Sequence, residues 1–391
     1  MLNTLFPPWP SFTPEEIAAV TRVLSSNRVN YWTGQEGRAF EREFAAWCGA
    51  AHAVALMNGT VALDLCWKVL DIGPGDEVIV TPRTFLASAS SIINAGAVPV
   101  FADVDADSQN ITPETAARVL SPRTRAILCV HLAGWPCDMD GFRALADQHR
   151  IHLVEDCAQA HGARWRGKAV GTVADISAWS FCQDKIMTTG GEGGMVTTND
   201  RHLWDKAWSF KDHGKSWEAV YDRQHPPGFR WVHESIGTNW RMLEVQAAIG
   251  RVQLHHMPQW HEARTNHAAA IFAEARKWSA LRVPTPPAHV THAYYRAYAF
   301  VEPDALKTGW SRDRIIAEIS ARGVPCYHGS CSEIYLEKAF DTAPGRPAQR
   351  LPVALRLGDT SMMFLVHPTL TPEHMEKTTT ILGQVMAEAS R

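Results

Sequence analysis

Between Val54 and Val196 the sequence switches repeatedly between two hydrophobic periods, and this switching constrains the fold more than any single residue. EVIV (Glu77 to Val80), VPVF (Val98 to Phe101), AILCVH (Ala126 to His131), HLVED (His152 to Asp156) and ISAWSF (Ile176 to Phe181) are short runs with apolar centres. Such runs read as strands buried on both faces. The stretches between them, TVALDLCWKVLDIG, TFLASASSIINAG, TPETAARVL and DMDGFRALADQHR, carry apolar residues three and four apart, as amphipathic helices do. Strand and helix in alternation call for a mostly parallel sheet with helices on both faces, because each parallel connection must cross over. The fold class is α/β.

Past this region the pattern changes. Residues Lys211 to Thr238 are polar and rich in histidine, glycine and proline, and are expected to be loop. A long amphipathic helix is expected from about Met242 into the 270s, with Pro258 as a candidate interruption. After the PTPP of Pro284 to Pro287, HAYYRAYAFV alternates like a half-exposed strand, while RDRIIAEISARG and TPEHMEKTTTILGQVMAEA have helical spacing. The expected division is an N-terminal arm over 1–30, a large ligand-binding domain over 31–245, and a linking helix with a small α+β domain over 246–391.

Composition excludes several function classes. A chain of 391 residues buries enough apolar surface to fold without staples, and a net charge of −3 leaves no basic surplus to neutralise nucleic acid. The eight cysteines form no CxxC pair and mostly lie in apolar runs, as reduced thiols of a cytoplasmic protein would. No apolar run is long enough to span a membrane, and the start has no cationic and then apolar stretch for export. His255, His256 and His261 share one expected helix without an HExxH pattern, so they read as solvated helix face and no metal is expected.

Four features fall at strand ends or helix starts, where open α/β sheets bind ligands. Asn58, Gly59 and Thr60 precede a helix, where exposed amides and a hydroxyl suit a phosphate, although the same tripeptide also serves as a plain N-cap. Asp156 ends HLVED and is followed by Gln159 and His161; its carboxylate either caps a helix or holds a proton on a ring nitrogen. Phe85 lies just past a strand and offers a face for stacking, or else a place in the core. Ser180 and Lys185 sit in SFCQDKIMTTGGEGG, ahead of glycines that let backbone approach a ligand. Phosphate cradle, stacking ring, acid and near-buried lysine are used together by one cofactor, pyridoxal 5'-phosphate, held as a lysine Schiff base.

The ordered motifs MNGTVALDL, GDEVIVTPRTF, PVFADVD, VHLAGWPCDMD, VEDCAQAHGA, SFCQDKIMTTGGEGG and GTNWRMLEVQAAIG resemble the DegT/DnrJ/EryC1/StrS family of pyridoxal-phosphate enzymes, from VNYWTG to FLVHPTLT. The resemblance implies an aspartate-aminotransferase type (fold type I) architecture, with a mixed, mostly parallel seven-stranded sheet. It implies transfer of an amino group from L-glutamate to a nucleotide-linked ketosugar through the pyridoxamine phosphate form. Lys185 would then be the Schiff-base lysine and Asp156 the pyridine-nitrogen partner. Gly59, Thr60 and Ser180 would hold the phosphate, with Phe85 and Gln159 at the ring. Asn239 would reach the neighbouring subunit's phosphate in a homodimer.

Tyr31, Trp32, His213 and His328 are the candidate substrate contacts. Asp184, Arg83 and Trp135 depart from the family pattern outside the cofactor set and so bear on the substrate; Asp184 is expected to pair away from Lys185. A dehydratase of the same family would carry histidine in place of Lys185, and a regulatory protein without turnover would not need both the lysine and the acid.

Overall fold

A computed structural model describes residues 4–391. Seven strands form the central sheet: β1 (His52–Leu56), β2 (Glu77–Val80), β3 (Val98–Phe101), β4 (Thr124–Val130), β5 (His152–Asp156), β6 (Ile176–Ser180) and β7 (Gly194–Thr198). Their order is β1-β7-β6-β5-β4-β2-β3. Only β7 runs antiparallel to its neighbours. The period of two distributes each strand over two cores. Val78, Val80, Leu128 and Val130 pack on one face with Leu65 and Trp67 of the Gly59–Val69 helix. Ile79, Ile127, Cys129 and Leu153 pack on the other with Phe142 and Ala146 of the Met139–His149 helix. Each such side chain contributes about 1.5–3 kcal/mol by leaving water.

A second, four-stranded antiparallel sheet is built from β8 (Leu281–Arg282), β9 (Ala297–Val301), β10 (Cys326–Tyr327) and β11 (Ser361–Phe364), in the order β8-β9-β11-β10. Its core unites Ile315 and Ile319 of the Arg312–Ala321 helix with Leu382, Val385 and Met386 of the Pro372–Ala389 helix. Ala268, Ile271 and Phe272 of the long Glu244–Ala275 helix join that core, while Ala247 and Leu254 of the same helix join the core beneath β6 and β7.

Several local expectations are corrected. The long helix runs unbroken through Pro258, which lies on its exposed face, where water can take up the carbonyl left by the missing N–H. In HAYYRAYAFV only Ala297–Val301 is strand, and it is buried on both faces because helices cover it as well as the sheet. The Lys211 to Thr238 segment holds one π-helical turn, Glu218–Asp222, and bridges Asp212 to Asn239 and Lys215 to His233. The arm carries a helix, Pro14–Ser25, whose Ala19 and Val23 pack on Ala248. All eight cysteines are free; six are buried, Cys182 is half-buried and Cys331 is exposed. Among the described residues no helix is long and apolar enough to cross a membrane.

Candidate active site

The parallel part of the sheet has one carboxyl edge, and the site lies along it. Asp156 and Ser180 are the last residues of β5 and β6, Gly59 opens the helix after β1, and Phe85 lies just past β2. A cavity of about 400 Å³ brings together Gly59, Thr60, Phe85, Asp156, Gln159, Ser180 and Lys185.

Local chemistry explains each wall. Asn58 caps the Gly59–Val69 helix by accepting the Val61 N–H at 2.9 Å, which leaves the Gly59 and Thr60 amides of the first turn for an anion. A Cβ on Gly59 would stand 2.6 Å from the Ser180 Cβ, so only glycine lets the helix start lie against the β6 end. The following glycine run serves a similar contact, since a Cβ on Gly194 would meet the Asn58 carbonyl oxygen at 2.2 Å.

The Asp156 carboxylate is buried and accepts the Ser88 hydroxyl at 2.9 Å and the Ala158 N–H at 3.1 Å. Burial raises its pKa, and these two bonds with the Lys185 charge oppose the rise. A cation delivered to this carboxylate would hold it ionised. Gln159 is fixed by accepting the Ala133 N–H at 2.8 Å. Phe85 is 70% exposed, a large apolar face left on the cavity wall. Lys185 is mostly covered, and its backbone carbonyl accepts the Trp9 indole N–H at 2.7 Å, so the N-terminal arm reaches the site.

Asp184 is closer to Lys185 than its expected pairing elsewhere implied. One carboxylate oxygen accepts the Tyr295 hydroxyl, and the other lies 3.8 Å from Lys185 Nζ. Burial alone would raise its pKa, but Lys185, Tyr295 and Arg296 together hold it below the ordinary aspartate value. Arg83 is sealed from solvent under Tyr298, bonded through Nε to Gln109 at 3.0 Å. Trp135 is half-buried against His292.

The cavity does not gather the candidate substrate contacts. Tyr31 is a core residue: its hydroxyl donates to Glu41 at 3.0 Å and accepts from the Trp208 indole at 3.1 Å, with Lys211 Nζ 3.6 Å from its ring centroid. An apolar ring with one polar tip was absorbed into a buried charged cluster, so it is not free to meet a substrate. Trp32 packs edge-on against Trp208. His213 and His328 are exposed, His328 lying 3.2 Å from Asp313. Asn239 is exposed outside this cavity. His161 is buried against Trp179 and Phe181, and of the three helix histidines His261 faces the His292 carbonyl.

His131, Glu155 and Cys157 also converge, fully buried. Glu155 already accepts from His131, Ser177 and the amides of Gly171, Val173 and Ala174, while the Cys137 N–H occupies His131 Nδ1. The Glu155 oxygens and His131 Nδ1 are thus already engaged in a structural network, which leaves the Cys157 sulfur as the one group of the three without a hydrogen-bond partner among the described residues. Sequence reasoning missed Ser88, Trp9, Tyr295 and Arg296. Ser88, three residues past Phe85 at a helix start, had a readable spacing; the others come from remote segments.

Comparison with known proteins agrees with this architecture. Residues 10–382 match the model of the DegT/DnrJ/EryC1/StrS aminotransferase family. A Streptomyces venezuelae protein named dTDP-3-amino-3,4,6-trideoxy-alpha-D-glucose transaminase is 37% identical, over 83% of this chain and 80% of its own. An Acidithiobacillus ferrooxidans UDP-N-acetyl-3-dehydro-alpha-D-glucosamine 3-aminotransferase is 33% identical, over 95% and 94%. Among solved structures, an aminotransferase from Psychrobacter cryohalolentis superposes with a TM-score of 0.97 at 60% identity, covering 98% of this chain and 99% of that one. The S. venezuelae DesV structure gives 0.85 at 33%, covering 95% and 94%.

Fold and site define an aminotransferase of the aspartate-aminotransferase architecture. The chain belongs to the DegT/DnrJ/EryC1/StrS family.

Proposed function

We propose that this aminotransferase uses pyridoxal 5'-phosphate to move an amino group from L-glutamate to a nucleotide-linked ketosugar, cycling through the pyridoxamine phosphate form. The observation that carries the reading is one cavity holding Lys185, a buried Asp156 and an exposed Phe85 face beside the open amides at Gly59 and Thr60. The residues fit the cofactor. Gly59, Thr60 and Ser180 would hold its phosphate, Asp156 its ring nitrogen, Phe85 and Gln159 its two sides, and Lys185 its carbonyl carbon. When bound, the cofactor supplies an electron sink for the bond broken at the amino acid carbon.

The chain's own groups do the rest. Asp156, held by the Ser88 hydroxyl, would keep a proton on the ring nitrogen by offering it a buried carboxylate. Lys185 Nζ would be the nucleophile that holds the cofactor, and its free amine would be the base that takes the proton from the donor's α-carbon. The sugar half runs the same proton transfers in reverse. The ketosugar assignment is supported by the names of the two relatives above, both of which act on nucleotide-linked sugars. Asn239, exposed outside the cavity, suits a role in the phosphate site of a second subunit, which supports a homodimer as the working unit.

The test is spectroscopic. Purified holoenzyme should show the lysine-linked cofactor band, and L-glutamate should convert it to the pyridoxamine band, which a nucleotide-ketosugar then reverses. Lys185→Ala should bind cofactor without that linkage and fail to turn over. Ordinary turnover by Lys185→Ala would refute the assignment.

A further inference from the structure

Beside Lys185 lies a covered arginine that hydrogen-bonds to no carboxylate among the described residues. Arg296, just before β9, has its guanidinium 4.2 Å from the Tyr295 ring centroid and mostly covered. Its hydrogen bond goes to the neighbouring Tyr295 carbonyl at 3.1 Å, and its nearest carboxylate oxygen, on Asp184, stands 3.8 Å away, beyond hydrogen-bonding distance. Behind it lies Arg264, fully buried on the long helix. Arg264 touches the Tyr294 and Tyr295 carbonyls at 3.4 Å, and its Nε and Nη2 have no partner among the described residues. Among the described residues Asp184 is the only carboxylate within 4.0 Å of Lys185 or Arg296, and Arg264 has none; burying guanidiniums in that state is costly unless an anion arrives.

Asp184 shows where the anion belongs. Its carboxylate sits between the two cations, 3.8 Å from Lys185 Nζ on one side and 3.8 Å from Arg296 Nη2 on the other. It is hydrogen-bonded to neither; its bond comes from the Tyr295 hydroxyl. An α-amino acid carries its amine and carboxylate one carbon apart. With the amine in the place of Lys185 Nζ, the carboxylate falls in the gap that Asp184 now fills.

We propose that Arg296, backed by Arg264, binds the α-carboxylate of the amino donor, and that Asp184 holds this place in the free enzyme and gives way when the donor enters. A planar guanidinium suits a carboxylate because it donates two parallel hydrogen bonds. Arg296 is therefore a substrate-binding residue. The proposal rests on the reading that an amino acid is the donor.

The experiment uses holoenzyme and reads the cofactor band while α-methylglutamate, which cannot lose an α-proton, or methylamine, which has no carboxylate, is titrated in. Losing a hydrogen-bonded charge partner should raise the half-saturating concentration of α-methylglutamate on the order of tenfold to a hundredfold in Arg296→Gln. That for methylamine should not change, and Arg296→Lys should recover part of the loss. Asp184→Asn, which keeps an acceptor for Tyr295 but removes the competing charge, should tighten α-methylglutamate binding.

Equal effects of Arg296→Gln on both amines, no effect on either, or a loss confined to the sugar half-reaction would overturn the proposal. So would weaker α-methylglutamate binding by Asp184→Asn. A wild-type holoenzyme that no amino acid converts would instead overturn the donor reading beneath it, and the proposal with it.

Discussion

Phe85 gives the sharpest separation between a core residue and a cofactor wall. The side chain is 70% exposed, so truncating it removes little packing in the protein without cofactor. Phe85→Ala should therefore change apoprotein stability by no more than about 0.5 kcal/mol, the range of ordinary surface substitutions. Bound cofactor changes the account, because an aromatic face stacked on a flat ring contributes about 1–3 kcal/mol. At 1.4 kcal/mol per factor of ten, the dissociation constant for pyridoxal phosphate should rise between about fivefold and about 150-fold. Apoprotein melts and a cofactor titration followed by absorbance read the two quantities separately. A variant that melts several degrees lower yet binds cofactor as tightly as wild type would refute the reasoning, and would return Phe85 to the core.

Glu155→Gln should lower stability by on the order of 3 kcal/mol in urea unfolding, since the new amide hydrogens would face backbone N–H donors at Gly171, Val173 and Ala174; an unchanged midpoint would contradict the structural network. His161 and His367 are kept neutral, burial being the first cause that lowers each to about 3. An unfolded histidine protonates near 6.5, so the unfolded chain binds more protons between these values: the stabilisation is intact above about pH 6.5 and is lost as pH falls towards 3. Melts over that range should show the decline, with a shallower slope in His367→Gln; equal slopes would exclude the contribution. Mixed dimers of Lys185→Ala and Asn239→Ala subunits should recover one working site, whereas neither parent turns over normally. No recovery on mixing would count against a shared site.

The sequence alone determined the α/β class and picked out most of the polar residues that line the cavity. Strand positions were legible because a parallel strand covered on both faces has an apolar centre, and β2, β3 and β5 fall where the runs lie. Lys185, Asp156 and the Gly59–Thr60 pair were legible because each is displaced from a regular pattern: a lysine beyond an apolar strand, an acid ending one, a glycine opening a helix. Residues whose meaning depends on a distant neighbour were not. Tyr31 looked like a substrate contact until Glu41, Trp208 and Lys211 closed around it. Pro258 looked like a break until its helix placed it on the solvent side. Trp9 and Arg296 carry no local signal; only folding brings the arm to Lys185 and the strand entry to Asp184. Hydrophobic period and special residues act within a few positions of themselves and so can be read along the chain. The partner of a charge is chosen by packing between remote elements, and only the tertiary structure decides it.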